Sequence, residues 1–130
     1  MADIRLLLVD DNPTFLRLAT RFLEAQDEIR VVGSLRSGTD ALARVHDLRP
    51  DVVVIDLAMP GLSGLEAIPL LRRALPDAGI IAVTLLDTAA YRQAALAAGA
   101  DDFVPKMTLS TELLPAIRRI ALAHRTVSGA

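Results

Sequence analysis

The sequence predicts an α/β domain in which a five-stranded parallel sheet lies between two layers of helices. Three observations carry this prediction. Short apolar runs recur along the chain, segments with helical spacing separate them, and the connections between the two are short. Apolar runs without polar alternation read as strands buried on both faces, as in parallel sheets covered by helices. With 130 residues, 52% of them hydrophobic, the chain is large enough for one domain with a proper core. That domain is expected over residues 1–125, with Thr126 to Ala130 reading as the start of a linker or a C-terminal tail.

The first strand covers Ile4 to Val9, and its run Leu6, Leu7, Leu8 and Val9 ends on Asp10 and Asp11 before Asn12 and Pro13 turn the chain. A helix follows over Thr14 to Ala25, with Phe15, Leu18, Phe22 and Ala25 at helical spacing. Arg30 to Ser34 and Thr39 to Leu48 form the second strand and helix. In the third unit, Val52, Val53, Val54 and Ile55 lead to Asp56, and Pro60 and Gly61 close the strand before a helix over Leu65 to Leu75. The fourth unit pairs Gly79 to Thr84 with Thr88 to Ala98, a helix that Gly99 terminates. The fifth strand, Asp101 to Val104, leads through Pro105 to Lys106 and a last helix over Ser110 to His124, which Ser110 or Thr108 can cap. Pro69 and Pro115 fall about one turn inside their helices, where proline costs roughly 3 kcal/mol in a regular interior. Tighter or irregular first turns are expected there.

Five strand-helix units with short right-handed crossovers most often adopt the flavodoxin-like (βα)5 three-layer sandwich, with strand order 2-1-3-4-5. Its switch point lies between strands 1 and 3, and ligands bind there at the carboxyl ends of the strands. Asp10, Asp11 and Asp56 fall at that crevice, flanked by Thr84 and Lys106 on strands 4 and 5. Asp is a poor strand residue, so an acid closing a buried strand needs a reason beyond packing. Lys106 is the chain's sole lysine among abundant arginines, which suits a position requiring a compact ammonium.

Composition narrows the chemistry. Fourteen basic against 16 acidic residues give a net charge of −2, and no basic field for nucleic acid. Cysteine is absent, which removes disulfide, thiol and Cys-metal chemistry and agrees with a reducing cytoplasm. No apolar stretch approaches the ~20 residues needed to span a bilayer, so a soluble, cytoplasmic protein without membrane contact is expected.

Three carboxylates in one crevice repel, each pair about 4 Å apart costing on the order of 1 to 4 kcal/mol. A hard divalent cation relieves this, and an all-oxygen donor set points to Mg²⁺ or Mn²⁺. Three Asp, one Lys and the cation sum to neutrality, so the site can accept an anion such as a phosphoryl group. A carboxylate can itself attack phosphorus to form an aspartyl phosphate, with the cation, the Lys and a Thr hydroxyl holding the equatorial oxygens.

The segments LLLVDD, VVVIDLAMPGLSG, IIAVTLLD and AGADDFVPK, in this order, resemble the receiver domain of two-component response regulators over essentially the whole chain. The resemblance implies that Asp56 is the phosphoacceptor and that Asp10 and Asp11 are the acidic pair holding Mg²⁺. It further implies that the backbone carbonyl of Ala58 is a metal ligand, that Thr84 and Lys106 contact the phosphoryl group, and that Phe103 is the switch aromatic moving with Thr84. The implied partners are a sensor histidine kinase and a phosphorylation-dependent second copy of the chain. Many receivers carry a proline after the lysine, joined through a cis bond, whereas Met107 stands here. FVPKMTLSTELLPAI instead resembles the NarL/LuxR-type regulators, which place a DNA-binding domain after the receiver. DNA contact is therefore expected only through an output domain outside this sequence, and a stand-alone receiver is the alternative.

Plainer readings stand beside these. Asp residues are common at turns, Thr84 alone is an ordinary strand residue, and a lone Phe103 beside Val104 suits a core. His46 and His124 read as surface residues, and the pairs Arg72 with Arg73 and Arg118 with Arg119 as solvated helix faces. The Ala-rich stretch Ala89 to Ala98 suits either a close partner or an ordinary helix on the sheet. A Mg²⁺-dependent phosphohydrolase of the haloacid-dehalogenase-like type is a rival, but such enzymes typically carry a second Asp two residues past the nucleophile, where Ala58 stands. An interaction module that works unphosphorylated is a third possibility. With Ala58 and Leu86 beside the site and no polar side chain to orient water, slow self-dephosphorylation is expected.

Overall fold

The structure, a computed structural model, describes residues 3–86 and 88–129, with side chains described as far as Ala123. Its elements are β1 (Ile4–Val9), α1 (Pro13–Glu24), β2 (Ile29–Leu35), α2 (Gly38–Leu48), β3 (Val52–Asp56), α3 (Gly64–Ala74), β4 (Gly79–Thr84), α4 (Ala89–Ala98), β5 (Asp102–Pro105), a 3-10 turn (Lys106–Thr108) and α5 (Leu109–Gly129). All strand pairs are parallel, in the order β2-β1-β3-β4-β5, as the alternating pattern predicts.

Side-chain alternation along each strand divides the core in two. Leu6, Leu8, Val52, Val54, Ile81 and Val83 pack with Leu16 and Leu23 of α1 and Leu113 and Ile117 of α5. Leu7, Val9, Val53, Ile55, Ile80 and Ala82 face the other way, toward α2, α3 and α4. The central strands β3 and β4 are buried at every position, so no polar alternation can appear in their sequence.

Several boundaries and faces differ from expectation. Helix α1 starts at Pro13, because the Asn12 side chain accepts from the N–H groups of Thr14 and Phe15 and Pro at the first turn needs no donor. It buries Leu16, Ala19 and Leu23, while Leu18 is 55% exposed; the stripe lies one step round from the expected Phe15, Leu18, Phe22 and Ala25. Helix α3 begins at Gly64 behind a capping box, with Ser63 Oγ accepting from Glu66 N–H and the Glu66 carboxylate from Ser63 N–H. The helix continues through Pro69 without the expected irregular first turn, and exposed Pro69 costs the Leu65 carbonyl only its i+4 donor. Before α5, the tighter turn is present as 3-10 structure over Lys106–Thr108. That turn runs straight into α5, so Ser110 is inside the helix and the Thr108 hydroxyl donates back to the Pro105 carbonyl. Helix α5 extends to Gly129, through most of the segment expected as a linker. Gly99 ends α4 at φ 122°, in the expected role.

Arg72 and Arg118 are not plain solvated charges. The Arg72 guanidinium binds the carbonyls of Ala78 (2.5 Å) and Gly99 (3.0 and 3.2 Å) and the carboxylate of Asp101 (2.7 Å), tying α3 to the start of β4 and the end of α4. Arg118 pairs with Glu28 at 2.7 Å, and Arg119 pairs with Asp102. His46 is exposed, as expected; the expectation for His124 lies outside the described side chains.

Candidate functional site

The residues expected to carry chemistry meet at the carboxyl edge of the sheet. Asp10 follows β1, Asp56 ends β3, Thr84 ends β4 and Lys106 opens the turn after β5. The register aligns these ends: Val9 lies opposite Ile55, Asp56 opposite Val83, and Thr84 opposite Pro105. Among the described residues, the buried polar side chains are Asp10, Asp56 and Thr84, all three on this rim. Burial of polar groups is therefore concentrated where chemistry is expected.

Local turns hold each acid. Asp10 Oδ1 accepts from Asn12 N–H at 2.9 Å, so the turn that starts α1 also orients Asp10. Asp56 Oδ1 accepts a long 3.4 Å bond from Ala58 N–H. Gly64 brings the first turn of α3 against the strand end, donating to the Leu57 carbonyl at 3.1 Å. A Cβ on Gly64 would lie 1.8 Å from the Asp56 carbonyl oxygen, so only glycine permits this approach. Thr84 Oγ1 accepts from Leu86 N–H at 3.1 Å, a bond that does not use its hydroxyl proton.

Charge is unevenly compensated. One carboxylate oxygen from each of Asp10, Asp11 and Asp56 lies within 4.8 Å of the others. Lys106 Nζ sits 2.6 Å from Asp10 Oδ2 and 3.6 Å from Asp56 Oδ2. Burial pushes the Asp56 carboxyl above its ordinary range, with Asp10 and Asp11 adding to the rise while Lys106 and the Ala58 N–H oppose it. Asp10 Oδ2 is buried and, apart from the ion-pair contact with Lys106, accepts no hydrogen bond of normal geometry. An under-satisfied buried carboxylate oxygen among three clustered acids fits a hard divalent cation, which takes oxygen ligands and leaves room for water.

Phe103, expected as either switch or core, is 2% exposed and packs in the core on the α2, α3 and α4 side. The Arg92 guanidinium lies 4.8 Å from its ring centroid, beside a cleft of about 260 Å³ lined also by Asp102, Glu112 and Arg119. Ala58, Leu85 and Leu86 are exposed at the rim. Two residues to which the sequence assigned no role in the site also shape it. Gly64 ends the segment VVVIDLAMPGLSG, where its spacing from Asp56 is the available signal. Phe15, one of three phenylalanines, places its ring 4.2 Å from Lys106 Nζ.

Residues 6–118 match the family model described as the response regulator receiver domain. The chain is 38% identical over 125 residues to the response regulator GacA of Pseudomonas viridiflava, covering 96% of this chain and 58% of that protein. It is 34% identical over 118 residues to the response regulator protein VraR of Staphylococcus saprophyticus, covering 89% of this chain and 56% of that protein. The chain thus spans little more than half the length of these curated relatives. Among solved structures, a LuxR-family two-component response regulator from Aurantimonas superposes with a TM-score of 0.89 at 31% identity, covering 94% of this chain and 87% of that one.

Proposed function

Because the chain belongs to the response regulator receiver domain family, which it matches over residues 6–118, we propose that it is a phosphorylation-activated switch with Asp56 as phosphoacceptor. A partner sensor histidine kinase is the donor. An Asp56 carboxylate oxygen bonds to phosphorus while the bond from phosphorus to the kinase imidazole breaks, and the imidazole keeps that electron pair. Lys106 and the Thr84 hydroxyl bind the phosphoryl oxygens. Asp10, Asp11, Asp56 and the backbone carbonyl of Ala58 hold Mg²⁺, for which Mn²⁺ can substitute. When bound, the cation offsets the charge of the acids and of the incoming phosphoryl group.

The observation that carries this reading is the buried Asp56 carboxylate at a strand end, with two further acids within 4.8 Å and the sole lysine at 3.6 Å. Thr84 and Phe103 then form the switch, and the phosphoryl group biases a two-state equilibrium at the face of α4, β5 and α5. Residues 1–125 form the receiver, and residues 126–130 lead out of it. Similarity to GacA and to a LuxR-family regulator supports a transcriptional output reached through a DNA-binding domain beyond this sequence, with phosphorylation promoting a homodimer in the cytoplasm.

Ala58 supports storage of the phosphoryl group over catalytic turnover, since no acid stands two residues past Asp56. We expect a phosphorylated lifetime far longer than seconds and no turnover of phosphate esters. The test is uptake of acid-labile phosphate from a small acyl phosphate with Mg²⁺. The wild type should label and Asp56→Asn should not; equal labelling of the two overturns the assignment.

A further inference from the structure

Two carboxylates and one aromatic ring lie against the Lys106 ammonium. The ammonium lies 2.6 Å from Asp10, 3.6 Å from Asp56 and 4.2 Å from the ring centroid of Phe15, and the lysine side chain is only 11% exposed. Phe15 is well fixed. Its N–H donates to Asn12 Oδ1 at 3.2 Å, Asn12 N–H donates to Asp10 Oδ1 at 2.9 Å, and the half-buried Phe15 packs against the core on the α1 and α5 side. Asp10, Asn12, Phe15 and Lys106 therefore close a circuit of contacts in which the cap of α1 sets the distance from ring to ammonium.

The three contacts respond differently to added charge. A divalent cation on the acids draws on the Asp10 and Asp56 charges and repels the ammonium, so both ion pairs weaken together. The ring quadrupole carries no net charge to be neutralised, and its attraction persists. The ring also offers no oxygen acceptor, which leaves the ammonium's three donors for phosphoryl oxygens. We infer that Phe15 is a positioning residue for phosphoryl transfer: its face keeps Lys106 at the site when the acids are engaged by a cation. This rests on the reading of Asp56 as phosphoacceptor.

The sole lysine makes the inference directly testable, because lysine-selective ¹³C labelling gives one side-chain signal in the full chain. In Mg²⁺-loaded wild type, the Lys106 Hε resonance should lie upfield of its position in denatured protein, as protons over a ring face do. Phe15→Leu should return it toward that position and slow phosphate uptake about 3- to 10-fold, the range a partly desolvated cation–π contact supports. Phe15→Tyr should restore both. If Phe15→Leu folds poorly, Phe15→Met serves as the non-aromatic variant, judged by the same two readouts. An unshifted Hε signal in the loaded wild type, or a folded non-aromatic variant that labels at the wild-type rate, overturns the inference. A wild type that takes up no phosphate removes the phosphoacceptor reading and this role with it, whereas unimpaired Phe15→Leu removes this role alone.

Discussion

The Lys106 ammonium is paired with Asp10 at 2.6 Å and stands a full ångström farther, at 3.6 Å, from Asp56. The two acids therefore differ in how closely they hold this shared partner although both are buried. Asp10 carries most of the lysine's attraction, and Asp56 keeps a carboxylate oxygen beside a positive charge without being tied to it. A cation entering the cluster must compete with Lys106 for Asp10, and the acids must give up part of one attraction to gain another.

Removing that competitor has opposite effects on binding and stability. Lys106→Met should tighten Mg²⁺ binding about 3- to 10-fold by deleting a positive charge next to a ligand. It should also lower metal-free stability by about 3 kcal/mol, because the buried Asp10 loses its partner. Calorimetric titration and urea melts in chelator measure the two effects, and weaker Mg²⁺ binding by the variant would contradict the pairing argument.

Asp56 sets a pH dependence of definite sign. Burial, reinforced by Asp10 and Asp11, raises its folded-state value above the ordinary 3.8. The folded protein then holds the proton to higher pH than the unfolded chain does. The stability this contributes is fully present below 3.8 and is lost as pH rises through the raised folded value. Metal-free Asp56→Asn should accordingly be more stable than wild type at neutral pH, by on the order of 1 kcal/mol or about 4 °C. The gap should close on acidification, as read by melts across a pH series in chelator.

The rim residues were legible in sequence because each closes an apolar run, and a run buried on both faces leaves little ambiguity about where a strand ends. Parallel topology then brings Asp10, Asp56, Thr84 and Lys106 together without knowledge of side-chain packing. The face of α1 was less legible. In Phe15-Leu16-Arg17-Leu18-Ala19-Thr20-Arg21-Phe22-Leu23 two neighbouring stripes are both apolar, and packing against β1 and α5 selects Leu16, Ala19 and Leu23. Arg72 and Phe15 were illegible for a related reason. Their partners are 27 and 91 residues away in sequence (from Arg72 to Gly99 and from Phe15 to Lys106), and no local pattern encodes that proximity.

Gly64 holds α3 against the end of β3, and its substitution should act on both fold and site. A Cβ 1.8 Å from the Asp56 carbonyl oxygen meets backbone, which cannot yield as a side-chain tip can. Gly64→Ala should cost about 3 kcal/mol and shift Asp56 enough to slow its labelling. Thermal melts and phosphate uptake test this, and a variant with wild-type stability would refute the close approach.

Arg72 tests geometry against charge. Its guanidinium serves Ala78, Gly99 and Asp101 together, which a single ammonium cannot reproduce. Both Arg72→Lys and Arg72→Ala should be destabilised, by about 2 kcal/mol for alanine and at least half of that for lysine. Full rescue by lysine in urea melts would show that charge alone suffices.

Phosphoacceptance is assigned to one carboxylate among three, so mapping the modified residue itself tests that assignment. After incubation with Mg²⁺ and a small acyl phosphate, borohydride reduction of the acyl phosphate and peptide mapping by mass spectrometry should find the reduced side chain at position 56. Reduction at position 10 or 11, or none in wild-type protein that has taken up phosphate, would contradict the account.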